Sequence, residues 1–125
     1  MDLTPLVPVG RQIIESYGDG RFRVTGVVLH GSILVFPERT LAWPVTDLSN
    51  VTAESLASVT DPAERVELLL LGCGPRMVQI PRRLRQLLGR AGIAVEPMDT
   101  GAACRTHNVL ATEERRVAAA LIAVE

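Results

Sequence analysis

Lysine is absent from this chain: all 13 basic side chains are arginine. That removes the Schiff-base amine, the P-loop lysine and the lysine general base, and a broad group of enzymes goes with them. Aromatics make up 3% of the 125 residues (Tyr17, Phe22, Phe36 and Trp43), and none is interleaved with the basic cluster described below. Base stacking therefore has no platform, and no nucleic-acid partner is expected. Cys73 and Cys104 are too few for a disulfide framework and lack the CxxC spacing of zinc or thiol-exchange sites. They read as thiols in a reducing compartment. His30 and His107 are the only histidines and share no i, i+4 spacing, so no metal site is expected. The longest apolar run, residues 117–124, falls well short of the ~20 residues of a membrane-spanning helix. Met1-Asp2-Leu3-Thr4-Pro5 lacks the positive start and apolar core of a secretory signal, and the expectation is a soluble, cytoplasmic protein.

What is present suits one domain over residues 1–125. A hydrophobic fraction of 47% excludes disorder, and a net charge of -1 excludes nucleic-acid affinity driven by bulk positive charge. Residues 1–10 carry Pro5 and Pro8 and read as an extended arm. Short β-prone runs follow over residues 12–17, 22–25, 27–29 and 33–36. They are separated by Gly18-Asp19-Gly20, Gly26 and a His30-Gly31-Ser32 turn, with Pro37-Glu38 closing the last. Residues 40–43 add a strand stopped by Pro44, and Trp43 reads as a core anchor.

The second half changes period. Thr52 caps a helical stretch to about Val59, ended by Asp61-Pro62. Residues 66–71 are almost wholly apolar, as in a strand covered on both faces. Leu84, Leu87 and Leu88 mark one stripe of a helix over residues 81–89, and residues 93–96 form the next strand. This is a βαβ unit with parallel strands and a right-handed crossover. A second helix runs from about Asp99 or Thr100 to Leu110. The tail is divided between helix-favouring alanines and the strand-favouring Val117, Ile122 and Val124, and is assigned as a strand. The fold class is thus α/β, with a β-rich N-terminal half and a C-terminal β-α-β-α-β half.

Five pieces in order carry a resemblance. They are Leu69-Leu70-Leu71-Gly72-Cys73-Gly74, Pro81 with Leu84, Gly92-Ile93 through Asp99-Thr100, Ala103 through Leu110, and Arg115-Arg116-Val117-Ala118-Ala119-Ala120-Leu121. Together, from Ile13 to the end, the chain resembles the uncharacterised-domain family that contains the adipogenesis-associated protein and a mitochondrial respiratory complex I assembly factor. The resemblance implies a three-layer fold, a mixed central sheet with a small β-rich element against it, and a final strand inserted antiparallel. It implies no enzymatic activity and no cofactor, and a role exercised through protein contacts.

Two places have chemistry to offer. Ligands of open α/β sheets bind beyond the carboxyl ends of parallel strands, here Gly72-Cys73-Gly74 and Met98-Asp99-Thr100. The candidate ligand residues there are Gly72, Cys73, Gly74, Asp99, Thr100, Arg105, His107 and Asn108. Cys73, His107 and Asp99 are the one nucleophile–base–orienter set that converges on this predicted cleft. The alternative is that the glycines only turn the chain and Arg105 pairs with an acidic neighbour. The second place is basic. Between Glu67 and Glu96 no acidic residue occurs, while Arg76, Arg82, Arg83, Arg85 and Arg90 all do. Arg82 and Arg83 in a first helical turn oppose the macrodipole, at about 0.3–1 kcal/mol each. Arg82, Arg83, Arg85 and Arg90 are therefore the candidate partner-binding residues, with a solvated helix face as the plainer account. The functional expectation is a non-enzymatic assembly or accessory factor for a respiratory or other membrane-associated complex. The alternative is a small anionic-ligand binder or thiol-dependent hydrolase near Cys73 and Asp99. A short exposed edge among the N-terminal strands would permit a homodimer.

Overall fold

Asp19-Gly20 and Thr25-Gly26 each place two successive residues at positive φ (54° and 71°, 45° and 83°). That geometry belongs to the two-residue hairpin loop whose twist matches right-twisted strands. In the computed structural model, which describes residues 10–113 and 115–125, these turns join β1 (Ile14–Gly18), β2 (Arg21–Val24) and β3 (Val27–His30) into an antiparallel sheet in that order. The expected arm lies, but for Gly10, outside the described residues. Among the described residues β3 is a free edge, with Val27 60% and Val28 48% exposed.

The His30-Gly31-Ser32 turn is not a hairpin. There the chain leaves the first sheet and starts β4 (Ile33–Val35) in a second one. Runs of three or four β-prone residues fit either sheet, so pattern alone does not disclose the switch. β5 (Thr40–Ala42) pairs back antiparallel on β4. Three short 3-10 turns (Leu48–Asn50, Glu54–Leu56, Pro62–Glu64) and α1 (Ala57–Thr60) then carry the chain across one face. The expected helix from Thr52 is thus split between a 3-10 turn, Glu54–Leu56, and the α-helical turn Ala57–Thr60. The Thr52 hydroxyl does accept from the Ser55 amide at 3.1 Å, as a cap would.

β6 (Leu68–Gly72), α2 (Arg82–Arg90) and β7 (Ala94–Met98) form the expected βαβ unit, with β6 and β7 parallel and Leu69 opposite Val95. α3 (Thr100–Leu110) and β8 (Val117–Leu121) complete the chain. The larger sheet has the order β5-β4-β8-β6-β7. The expectation for the final strand is half met: β8 is antiparallel to β4 but parallel to β6. The reason is geometric. An 11-residue helix rises about 16 Å, close to the length of a five-residue strand, so α3 returns the chain to the edge from which β6 and β7 started.

Three layers result. All five β6 residues are buried, Leu69 and Leu71 toward α2, Leu68 and Leu70 toward α3. Trp43, Val51, Leu56, Leu84, Leu88 and Ile93 fill the first side; Ile14, Phe22, Val24, Ala103 and Cys104 fill the second. Trp43 is 3% exposed and donates from Nε1 to the Ser55 carbonyl at 2.7 Å, the core anchor its aromatic body suggests. Among the described residues no helix is long and apolar enough to cross a membrane.

Candidate functional site

Gly72 ends β6 where the backbone of α3 passes closest. A Cβ there would stand 3.0 Å from Leu121 Cδ2 and 3.1 Å from both the Thr100 Cα and its hydroxyl. The Thr100 hydroxyl accepts from the Gly74 amide at 3.0 Å and donates to the Ile122 carbonyl at 2.7 Å. Two backbone bonds, Cys73 to the Met98 carbonyl and Thr100 to the Gly74 carbonyl, both 2.8 Å, close the joint. Asp99 caps α3 by accepting from the Ala102 amide at 2.8 Å. Gly72, Gly74, Asp99 and Thr100 are thus brought together as expected. The space beside Gly72, however, holds a fully buried threonine hydroxyl bonded to Gly74 and Ile122.

The hollow lies one strand over, beyond the ends of the other parallel pair, β6 and β8. It is an open cleft of about 350 Å3, walled by residues 46–49 on one side and by Cys73, Gly74, Pro75, Val78, Gln79 and Pro81 on the other, with Ile122 and Ala123 beneath. Of the candidate ligand residues only Cys73 and Gly74 line it. The Cys73 side chain is buried, its sulfur 3.5 Å from the Leu71 carbonyl and 3.7 Å from that of Val78. The opposite wall is a residue group that sequence reasoning missed. Asp47 accepts from the Ser49 amide (2.9 Å) and hydroxyl (2.7 Å), and these bonds hold its carboxyl below the usual range. An Asp two residues before a Ser is a legible turn signal, but nothing in the pattern says that this turn faces the end of β8.

The α3 candidates lie apart from this cleft. Asn108 clamps β1, accepting from the Ile14 amide (2.9 Å) and donating to the Ile14 carbonyl (2.7 Å). Arg105 is exposed and donates to the Tyr17 hydroxyl at 3.4 Å, in place of the acidic neighbour expected for it. His107 is buried, two turns along α3 and toward the opposite end of the sheet, with Nε2 3.1 Å from the Gln12 carbonyl. Burial pushes its pKa down, Arg11 acts the same way, and the Gln12 carbonyl opposes both. Among the described residues its Nδ1 is the one buried side-chain polar atom without a partner. Cys73 packs on the α2 side of the sheet, so Cys73, His107 and Asp99 do not assemble as a triad. Cys104 is no substitute: burial pushes its thiol up to about 12.

α2 presents its charge to solvent. Its leucines 84 and 88 are buried, while Arg82, Arg83, Arg85 and Arg90 are exposed. Arg83 donates to the Val51 carbonyl at 3.0 Å, tying α2 to the far end of the cleft wall. Among the described residues none of these four, nor Arg76, forms an ion pair; the pairs present involve Arg23, Arg39 and Arg116. Met77 (61% exposed) and Val78 (45%) project from the loop between Arg76 and α2. Among the described residues no group of three His, Cys, Asp or Glu side chains is placed to hold a metal.

This chain is 38% identical over 109 residues to an uncharacterized protein of Rhodobacter capsulatus, covering 87% of this chain and 82% of that one. It is 37% identical over 110 residues to the NADH dehydrogenase (ubiquinone) 1 alpha subcomplex assembly factor 3 of Danio rerio, and 32% identical over 109 residues to the Homo sapiens protein of that name. The match spans 63% and 59% of those two assembly factors. Among solved structures it is similar to an outer membrane protein from Bartonella henselae, with a TM-score of 0.85, 39% identity and 96% of this chain and 100% of that one covered. A Mth938-like domain protein of Bordetella pertussis superposes with a TM-score of 0.81 at 31% identity, over 98% of this chain and 92% of that one. Residues 14–122 match the model of a protein family of unknown function, and the chain belongs to that family, DUF498/DUF598.

Proposed function

We propose that this protein is a non-catalytic assembly factor that works by binding another protein, with the exposed arginines of α2 forming part of the contact. The observation that carries the reading is that face itself. Arg82, Arg85 and Arg90 project from an acid-free stretch and meet no carboxylate among the described residues. Relatives at 37% and 32% identity are named as assembly factors of an NADH dehydrogenase subcomplex, which supports transferring that kind of role. In this reading the chain serves a respiratory or other membrane-associated complex, working from the cytoplasm. The competing thiol-hydrolase reading requires a base beside Cys73, and His107 lies instead over the Gln12 carbonyl.

Co-purification from the native host tests the proposal. Arg82→Glu/Arg85→Glu reverses two charges that make no intramolecular bond among the described residues, and avoids Arg83, which holds Val51. Recovery of the partner is expected to fall at least about tenfold, the ~1.4 kcal/mol or more that loss of interfacial charge pairs brings. Equal recovery overturns the reading.

A further inference from the structure

We infer that the cleft between residues 46–49 and the loop 73–81 seats an acidic peptide segment that inserts an aliphatic side chain beside Val78. The inference rests on the protein-binding reading and names the kind of partner.

Four features converge on one rim. The cleft, about 350 Å3, is at the small end of the ~300–1,000 Å3 of ligand pockets, and it is open rather than enclosing. It therefore suits a side chain presented from outside. Leu48, Pro75, Val78, Pro81 and Ile122 give it apolar walls, and Val78 is 45% exposed, an aliphatic surface held out to solvent. The loop that forms one wall is neither helix nor strand, and among the described residues the amides of Arg76, Met77 and Gln79 donate no hydrogen bond. An extended peptide gains affinity from main-chain bonds of that sort and specificity from side-chain pockets. Finally, exposed positive charge flanks this wall in the chain: Arg76 follows Pro75, Arg82 follows Pro81 at the start of α2, and Arg85 lies one turn on.

The facing wall argues for a peptide over a membrane. Asp47 stands in the cleft with its carboxyl held ionised by Ser49. A sheet of anionic headgroups pressed onto the arginines would meet that charge as well. A peptide directs its acids to the arginines beside the loop and only its apolar side chain toward the cleft.

Selection of a random 12-residue displayed peptide library on the full chain tests this, followed by fluorescence polarisation of the enriched peptides. The expected sequences carry two or more Asp or Glu beside Leu, Ile or Val. Their affinity is expected to fall at least tenfold with Val78→Asp and with Arg76→Glu/Arg82→Glu. On the wild-type chain, amide shifts on peptide addition are expected to centre on residues 46–49, 73–81 and 122–123, a readout independent of how the variants fold. No enrichment, enrichment without acids, or shifts centred elsewhere overturns the inference. So does arginine-dependent flotation with phosphatidylserine vesicles in the absence of any enriched peptide. If the library fails while Arg82→Glu/Arg85→Glu still loses its native partner, only the cleft is wrong. If peptides map to the cleft while native recovery is unchanged, the assembly reading falls and the cleft stands.

Discussion

Thr100 holds three chain segments with one hydroxyl. Its bonds to the Gly74 amide and the Ile122 carbonyl tie the exits of β6 and β8 to the start of α3, and its side chain has no exposure to solvent. Thr100→Val keeps the shape and removes the hydroxyl, leaving a buried donor and a buried acceptor without partners. Each such group costs about 1–3 kcal/mol. The variant is expected to lose at least about 1 kcal/mol in urea unfolding with an unchanged m-value, and a loss within ~0.5 kcal/mol, the range of ordinary surface substitutions, would show that the hydroxyl is not the joint described. Asp99 and Thr100 were legible as a helix start, because a short oxygen-bearing side chain before an alanine-rich run is a cap signal. That Thr100 plugs the gap beside Gly72 was not legible, since it depends on how near α3 comes to β6, and capping geometry does not set that distance.

Among the elements, β1 owes its place to α3. Among the described residues it has one strand neighbour, β2, and Asn108 stands in for a second by pairing with both polar groups of Ile14, as a strand would. Asn108→Ala removes two bonds worth about 0.5–1.5 kcal/mol each and frees the Ile14 amide. Hydrogen exchange at Ile14 is expected to accelerate at least tenfold while exchange in β6 changes only with global stability; uniform change across both strands would refute a local clamp. Periodicity exposes β6 and α2 because each has an unambiguous pattern: an apolar run buried on both faces, and leucines at i, i+3, i+4. The clamp has no such pattern. A polar side chain on a helix reads alike whether it meets water, a ligand or a strand 94 residues away.

At the scale of the molecule, the two ends of the sheet differ in kind. The cleft opens at the β6 and β8 exits, while the opposite end is closed by Arg116 and Arg39, which pair with Glu38 and Glu64, and by His107 over the Gln12 carbonyl. His107 makes that closure sensitive to pH. Its folded-state pKa lies below the ordinary 6.5, so the unfolded chain takes up the proton first and stability falls as pH drops below about 6.5. Above that value the contribution is complete. Glu38, lowered by Arg116 from 4.5, loses its contribution only in a more acidic range. Thermal unfolding between pH 7 and 5 is expected to show a falling Tm in the wild type and a flatter profile in His107→Gln, whose amide still donates to Gln12. Parallel profiles would exclude His107 as the source.

Composition and local pattern determined a good deal alone: the α/β class, the parallel pairing of β6 with β7, the helix starting at Asp99 and the acid-free arginine helix. Each of these rests on interactions within a few residues or on a single period of burial. Strand order was decided only in three dimensions. Whether β8 lies beside β6 or at an edge depends on which neighbour buries Ala118, Ala119 and Ala120 best, a comparison between surfaces far apart in the chain. With β8 between β4 and β6, the hollow moved from the β7 side to the β8 side of Gly72. His107 was carried to the far end of the sheet, because a helix that returns the chain to its starting edge takes its later residues along.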